Sequence, residues 1–231
     1  MSFGQNLQFL RRMRRSMTQE DLAQRMGVSR QTISKWETGE ALPEIDKAME
    51  ICSIFSCTMD ALFREDMGAG SEVYSDLRVE KVKAFSYVRY AVISGEPEQD
   101  AIGHIKQWAG ENGLEEPDII GWDFPDVSQE QINVFHMHGY AAACILPEGF
   151  ETVSKHPEIK RQPMQSYAVI TIRDPFKSPF TRIPNAYKTL MTFMQANDHR
   201  HACGKRAIEC FEKQYVREGI EHMDVYIAVE G

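Results

Sequence analysis

Long hydrophobic runs are absent from this sequence: no apolar stretch approaches the ~20 residues that a membrane-spanning helix needs. Closely paired cysteines are absent too. The five cysteines (Cys52, Cys57, Cys144, Cys203 and Cys210) fall at irregular spacing. An odd, irregular set argues against a disulfide framework and predicts free thiols in a reducing cytosol. The opening MSFGQNLQFLRRMRR has its basic cluster after a short mixed segment and lacks a small-residue cleavage site. It is therefore not expected to be a signal peptide, and the predicted location is cytoplasmic. What the chain does have is ordinary globular content, 42% hydrophobic and 26% charged over 231 residues, enough for a small domain and a larger one. Its charge is uneven. Residues 1–37 hold seven Lys/Arg against three acids, a net of +4, which leaves −12 of the formal −8 for the rest. That division predicts a polyanion-binding module joined to something that does not bind polyanions.

Five helical segments can be read between residues 4 and 65. The first, over 4–16, sets Leu7, Leu10 and Met13 in a stripe opposite its arginines. Thr18-Gln-Glu-Asp21 is a capping-box-like start for the second, in which Leu22, Ala23 and Met26 face inward. Gly27 supplies the left-handed residue that ends it, Val28 plugs the turn and Ser29 caps the third. There Ile33 and Trp36 turn inward, leaving Arg30, Gln31, Thr32, Ser34 and Lys35 outside. Ile45, Ala48, Met49 and Ile51/Cys52 predict a fourth amphipathic helix, and Thr58 caps a short fifth. Two short helices on a tight glycine turn, the second presenting hydrogen-bonding side chains, make a helix-turn-helix.

The stretch TQEDLAQRMGVSRQTISKWETGEALP resembles the Cro/lambda-repressor (Xre-like) DNA-binding family, down to the W-E-x-G after the recognition helix. The resemblance implies that Gln31 and Arg30 reach major-groove edges, since Gln pairs bidentately with adenine and Arg with guanine. It implies that Thr32 offers its methyl to thymine, that Gln19 and Lys35 hold phosphates, and that Ser29 is a cap first and a phosphate donor second. The arginines at 11–15 are read either as flanking phosphate contacts or as a solvated face. Readers of this kind act as dimers on palindromes, so the implied partners are double-stranded DNA and a second copy of the chain.

Residues 66–76 are polar and glycine-containing, a linker composition, and from 77 the texture turns to strands. A β-rich segment at 79–94, a helix at 98–114, a short strand at 118–124 and a longer one at 132–149 are followed by the same order again. The second set is a strand at 165–173, a helix at 180–197, a short strand at 205–213 and a closing one at 221–231. YAAACILPEG and DVYIAVEG end the two halves alike. The expected fold is an all-α five-helix DNA-binding domain (1–65), then an α+β domain (77–231) of two pseudo-symmetric β-α-β-β units with a groove where they meet.

That order, with IIGWDF, YAAACILPEG, QSYAV, the FE of AIECFEK and DVYIAV, is similar to the GyrI-like, or AraC-type, effector-binding domains of multidrug-responsive regulators. The resemblance implies a small-molecule effector in an aromatic-walled pocket with an acid at its base. The residues matched to it are Trp122, Phe124 and Tyr167, with Glu209 and Glu212 as alternative acids. Strand alternation puts those two on opposite faces; the family's F-E pattern favours Glu212, and Glu209 stays open. A carboxylate among aromatic rings suits a lipophilic cation, with cation–π attraction of about 0.5–2 kcal/mol per ring. Two other readings compete. His136-Met-His138, with His199, His201, Cys203, Cys210 and His222, could hold a metal if each H-x-H lies along one strand face. Glu212 with Tyr167 could hydrolyse a small electrophile, as some members of that superfamily do. The sequence implies no cofactor.

Overall fold

A computed structural model describes residues 2–14, 17–55, 57–64, 73–151, 158–204 and 207–230. Most of the linker expectation, and Arg15, therefore lie outside the described residues. Five helices come first: α1 (Phe3–Met13), α2 (Gln19–Met26), α3 (Arg30–Thr38), α4 (Ile45–Phe55) and α5 (Met59–Arg64). Then follow β1 (Tyr74–Val82), β2 (Phe85–Ser94), α6 (Pro97–Glu111), β3 (Asp118–Asp123), α7 (Gln129–Asn133), β4 (His138–Ile145) and β5 (Ile159–Gln162). The chain closes with β6 (Gln165–Arg173), a 3-10 turn (Pro175–Lys177), α8 (Pro179–Ala196), β7 (Cys210–Arg217) and β8 (Ile220–Val229). Two compact units share it: Met1–Arg78 with Ile170–His201 and Glu230, and Val79–Val169 with Ala202–Val229 and Gly231.

In the first unit the local signals are those the sequence carries. Thr18 accepts the Asp21 N–H at 3.1 Å, and the Asp21 carboxylate accepts the Thr18 N–H at 2.8 Å. The Thr18 hydroxyl, donating to Asp21 Oδ2 at 2.6 Å, and then the Thr18 N–H hold the Asp21 carboxyl below its ordinary range. Gly27 ends α2 at φ 62°, a conformation that suits glycine, and Ser29 accepts the Thr32 N–H at 3.0 Å to start α3. Leu7, Leu10, Leu22, Met26, Ile33 and Phe55 are the fully buried heart of the helical core, with Trp36 beside them. In α4 the inward stripe is Ala48, Ile51 and Phe55, while Ile45 and Met49 stand exposed. Ile45 opens the helix and projects past the core, and Met49 lies a quarter-turn off the stripe.

The eight strands form one sheet in the order β1-β6-β8-β7-β3-β4-β2-β5. The two repeats, β2-α6-β3-β4 and β6-α8-β7-β8, enter it as mirror orders and meet at β3 and β7, where Ile120 opposes Lys213 and Gly121 opposes Glu212. This is the expected pseudo-symmetric α+β arrangement, with an exchange the sequence did not disclose. The 79–94 segment is two strands, β1 at one edge of the sheet and β2 one strand in from the other. Each repeat's leading strand, β1 or β5, pairs with the first strand of the other repeat. Likewise 132–149 is not one strand. Ser128 and Gln131 form a capping box that nucleates α7, and β4 begins only at His138. His136 precedes it at φ 52°, so His136 and His138 do not share a strand face, and that part of the metal reading fails on backbone geometry.

In the second unit α6 packs Ala101, Ile105 and Ala109 against Val88, Tyr140 and Cys144 on one face of the sheet. The other face gathers Tyr87, Ile120, Tyr167, Phe211 and Tyr226. None of the five cysteines is joined in a disulfide.

Candidate functional site

On α3, Arg30, Gln31 and Lys35 are exposed while Ile33 and Trp36 anchor the helix from below. The Thr32 hydroxyl lies 2.8 Å from Ser29 Oγ, so the cap occupies it and its methyl is what remains to present. Gln19, at the start of α2, is half-buried and donates through Nε2 to Glu37 Oε2 at 2.9 Å. Glu37 in turn takes a bidentate pair from Arg11, Nε to Oε1 at 2.5 Å and Nη2 to Oε2 at 3.0 Å. The third guanidinium nitrogen of Arg11 donates to the Met17 carbonyl at 2.7 Å. With the Glu37 side chain 1% exposed, this is a buried fork that ties α1, the start of α2 and the end of α3 together and sets which way Gln19 points. Arg11 is thereby removed from the basic surface, and Arg14 donates to the Ile54 carbonyl. Arg12 stays exposed and lines a cleft of about 620 Å³ together with Gln8, Gln19 and Arg30.

In the sheet, the β3–β7 register divides the candidate ligand residues. Ile120 opposes Lys213, and Lys213 opposes Asp224. By alternation Trp122, Phe211, Asp224 and Tyr226 share one face. Phe211 and Tyr226 stack at 4.3 Å, and Tyr167 meets both rings edge-on at 5.1 and 5.9 Å. Trp122 is half-buried at the margin of this cluster, and Phe124 lies over Gly139, where a Cβ would come within 2.7 Å of its ring. Tyr167 is fully buried; its hydroxyl donates to the Ile208 carbonyl at 2.7 Å and accepts from Gln162 Nε2 at 2.9 Å. Burial pushes its phenol pKa upward, so it stays protonated and fastens the sheet.

Glu212 stands on the opposite face, level with Gly121. There the Tyr140 ring fills the space above Gly121, and burial raises its phenol pKa, with further contributions from Glu212, Glu98 and Asp123. Glu209 precedes β7, is exposed, and accepts the Gly204 N–H at 3.1 Å. The structure thus gathers Trp122 and Tyr167 about one aromatic cluster and brings Glu212 to neither. The pairing of Glu212 with Tyr167 that hydrolysis needs is not formed. A buried carboxylate on the aromatic face is Asp224, 7% exposed, accepting from Tyr215 Oη at 3.1 Å and Tyr226 Oη at 3.4 Å. Its signal was available in the sequence, as a single charge inside the apolar alternation of MDVYIAV.

Similarity to known proteins bears first on the helical part. The family model described as Helix-turn-helix (HTH_3) matches residues 9–62. Over 48 residues the chain is 42% identical to the uncharacterized HTH-type transcriptional regulator MJ0272 of Methanocaldococcus jannaschii, covering 21% of this chain and 73% of that protein. The chain belongs to the HTH-type transcriptional regulators. It is also 35% identical over 88 residues to the HTH-type transcriptional activator BcrR of Enterococcus faecalis, 38% of this chain. The match spans 43% of BcrR, less than half of its length. Among solved structures, the EcmrR–DNA complex in EcmrR-RPo resembles this regulator at 12% identity and a TM-score of 0.49, covering 93% of this chain and 85% of that one. No helix among the regulator's described residues is long and apolar enough to cross a membrane.

Proposed function

We propose that this regulator is a one-component transcription factor: a DNA-binding domain at 1–65, a linker from 66 that ends where β1 begins at Tyr74, and from there to 231 a GyrI-like domain that senses a small aromatic or cationic lipophilic ligand. The observation that carries the DNA half is the exposed row Arg30, Gln31 and Lys35 on a helix whose other side is locked by Ile33 and Trp36, beside a Gln19 oriented by Glu37. Arg30 and Gln31 read base edges; Lys35, Gln19 and Ser29 hold phosphates. One α3 offers few base-reading side chains, so the operator is a palindrome bound by a homodimer.

With duplexes selected from a random pool, Gln31→Ala is expected to relax base preference and lose about 1–3 kcal/mol on the selected sequence. Lys35→Ala is expected to weaken every duplex alike and reduce the salt slope by about 1. If the wild type binds no duplex even at low salt, the DNA reading is wrong.

The sensor half is supported by the aromatic face, where Trp122 borders stacked Phe211 and Tyr226, Phe124 lies over Gly139, and the Asp224 carboxylate accepts from Tyr226. Glu209, just before β7, and Glu212, on the face opposite the aromatic cluster, are the further acids of this proposal. Tetraphenylphosphonium serves as the probe, with calorimetry and tryptophan quenching as readouts. Saturable binding is expected, weakened about 2–30-fold in Trp122→Ala, the span of one cation–π contact. Equal affinity in the wild type, Trp122→Ala, Asp224→Asn, Glu209→Ala and Glu212→Ala would sink the acidic, aromatic pocket.

A further inference from the structure

Helix α8 belongs by topology to the second sheet repeat, yet in the first unit its last turn seats on the helix-turn-helix. Asn197, 5% exposed, follows α8 and donates from Nδ2 to two carbonyls, that of Phe193 at 2.9 Å and that of Met13 at 3.2 Å. Phe193 lies in the last turn of α8, and Met13 is the final residue of α1. The next residue, Arg14, donates to the Ile54 carbonyl at the end of α4 and faces the Asp198 carboxylate at 3.8 Å. The carbonyl ends of three helices therefore converge on two donors.

Helix C-termini carry unpaired carbonyls and partial negative charge, so an amide and a guanidinium there are specific partners. The contact is narrow. A cleft of about 400 Å³ lined by Phe9, Phe193 and His199 borders it, as does one of about 590 Å³ lined by Met17, Gln24 and Asp198. Both of its ends lead to function. Upstream, β6 carries Tyr167 of the aromatic face and runs on through the 3-10 turn into α8. Downstream, the Met17 N–H bonds the Arg14 carbonyl at 2.9 Å, Arg11 holds the Met17 carbonyl, and Gln19 follows two residues later.

We propose that Asn197 and Arg14 form the joint through which occupancy of the sheet is passed to the DNA-reading helices, with Asn197 a positioning residue for the α1–α2 corner that carries Gln19. This rests on the ligand-responsive reading above. The full chain is tested with a selected duplex and tetraphenylphosphonium. In the wild type the probe should change duplex affinity by about 5–150-fold, the usual span of allosteric coupling. In Asn197→Ala that ratio should fall to about 1 while probe affinity stays within about 3-fold of wild type, an effect that lost stability alone does not produce. A retained ratio overturns the joint. Amide exchange without any probe separates this from failure of the sensor reading: Asn197→Ala should speed exchange at Met17 by about 10-fold or more and leave Leu62 unchanged. Unchanged exchange at Met17 overturns the joint. A wild type that binds duplex but ignores the probe, with Met17 exchange still accelerated, overturns the sensor reading and supports the joint as a contact.

Discussion

Glu37→Ala is expected to destabilise the helix-turn-helix by about 3–5 kcal/mol, the usual cost of removing one partner from a buried ion pair. The substitution leaves the Arg11 guanidinium buried, with the Met17 carbonyl its remaining hydrogen-bond acceptor among the described residues, and strips the Gln19 amide of its acceptor. Thermal unfolding of the full chain followed by circular dichroism should show the helical transition falling by more than about 10 °C, since one kcal/mol moves a domain of this size by roughly 4–8 °C. Replacing both partners with apolar groups separates stability from function. Arg11→Met with Glu37→Leu should recover most of the loss, because no buried charge is left unpaired. Duplex affinity should nevertheless stay reduced, because Gln19 is no longer oriented. A Glu37→Ala protein within about 1 kcal/mol of wild type would show that the fork is not a buried pair in solution.

The second large effect is expected at the seam of the sheet. A Cβ on residue 121 would lie 2.1 Å from the Tyr140 hydroxyl oxygen and 2.6 Å from Cζ, so Gly121→Ala cannot be accommodated where Tyr140 now sits. The ring is 5% exposed and packed among Val88, Ile105 and Ala142, so it can yield only by disturbing α6. The cost is expected to be about 1–3 kcal/mol, read from urea unfolding. Tyr140→Ala alone leaves a cavity and costs about 3–5 kcal/mol. The two losses should not add: the double variant should be at least about 1 kcal/mol more stable than their sum, since the added methyl then occupies vacated space. Strict additivity would place Tyr140 away from Gly121.

The helical domain was legible nearly throughout because its determinants are short-range. Thr18 with Asp21, Gly27, and Ser29 with Thr32 are all decided within four residues, and Ile33 and Trp36 announce their burial by spacing. The arginines of α1 show where that stops. Arg11 is a member of a basic run until Glu37, 26 residues on, claims it. In the sheet, the repeat was visible in the two similar endings, but periodicity does not say which strand a strand will meet. The SQEQ capping box of α7 is a local signal, while the apolar pattern of 132–149 by itself predicts a strand. The F-E pattern marks Glu212, but the Gly121 register puts it on the face away from Trp122, whereas Asp224, a lone charge inside an apolar strand, falls on the face of Trp122.

The sequence by itself determined the caps, the glycine turn, the inward stripe of each helix, the exposed row on α3 and the twofold order of the second part. All of these follow from hydrogen bonds and side-chain periods within a few residues. Only the tertiary structure decided the Arg11–Glu37–Gln19 fork, the exchange of β1 and β5 between repeats, the faces of the sheet on which Glu212 and Asp224 fall, and the seating of Asn197 on the end of α1. Each of those closes a loop of tens of residues or more, and its partner is selected by packing and by the need to pair buried polar groups, which no local pattern encodes.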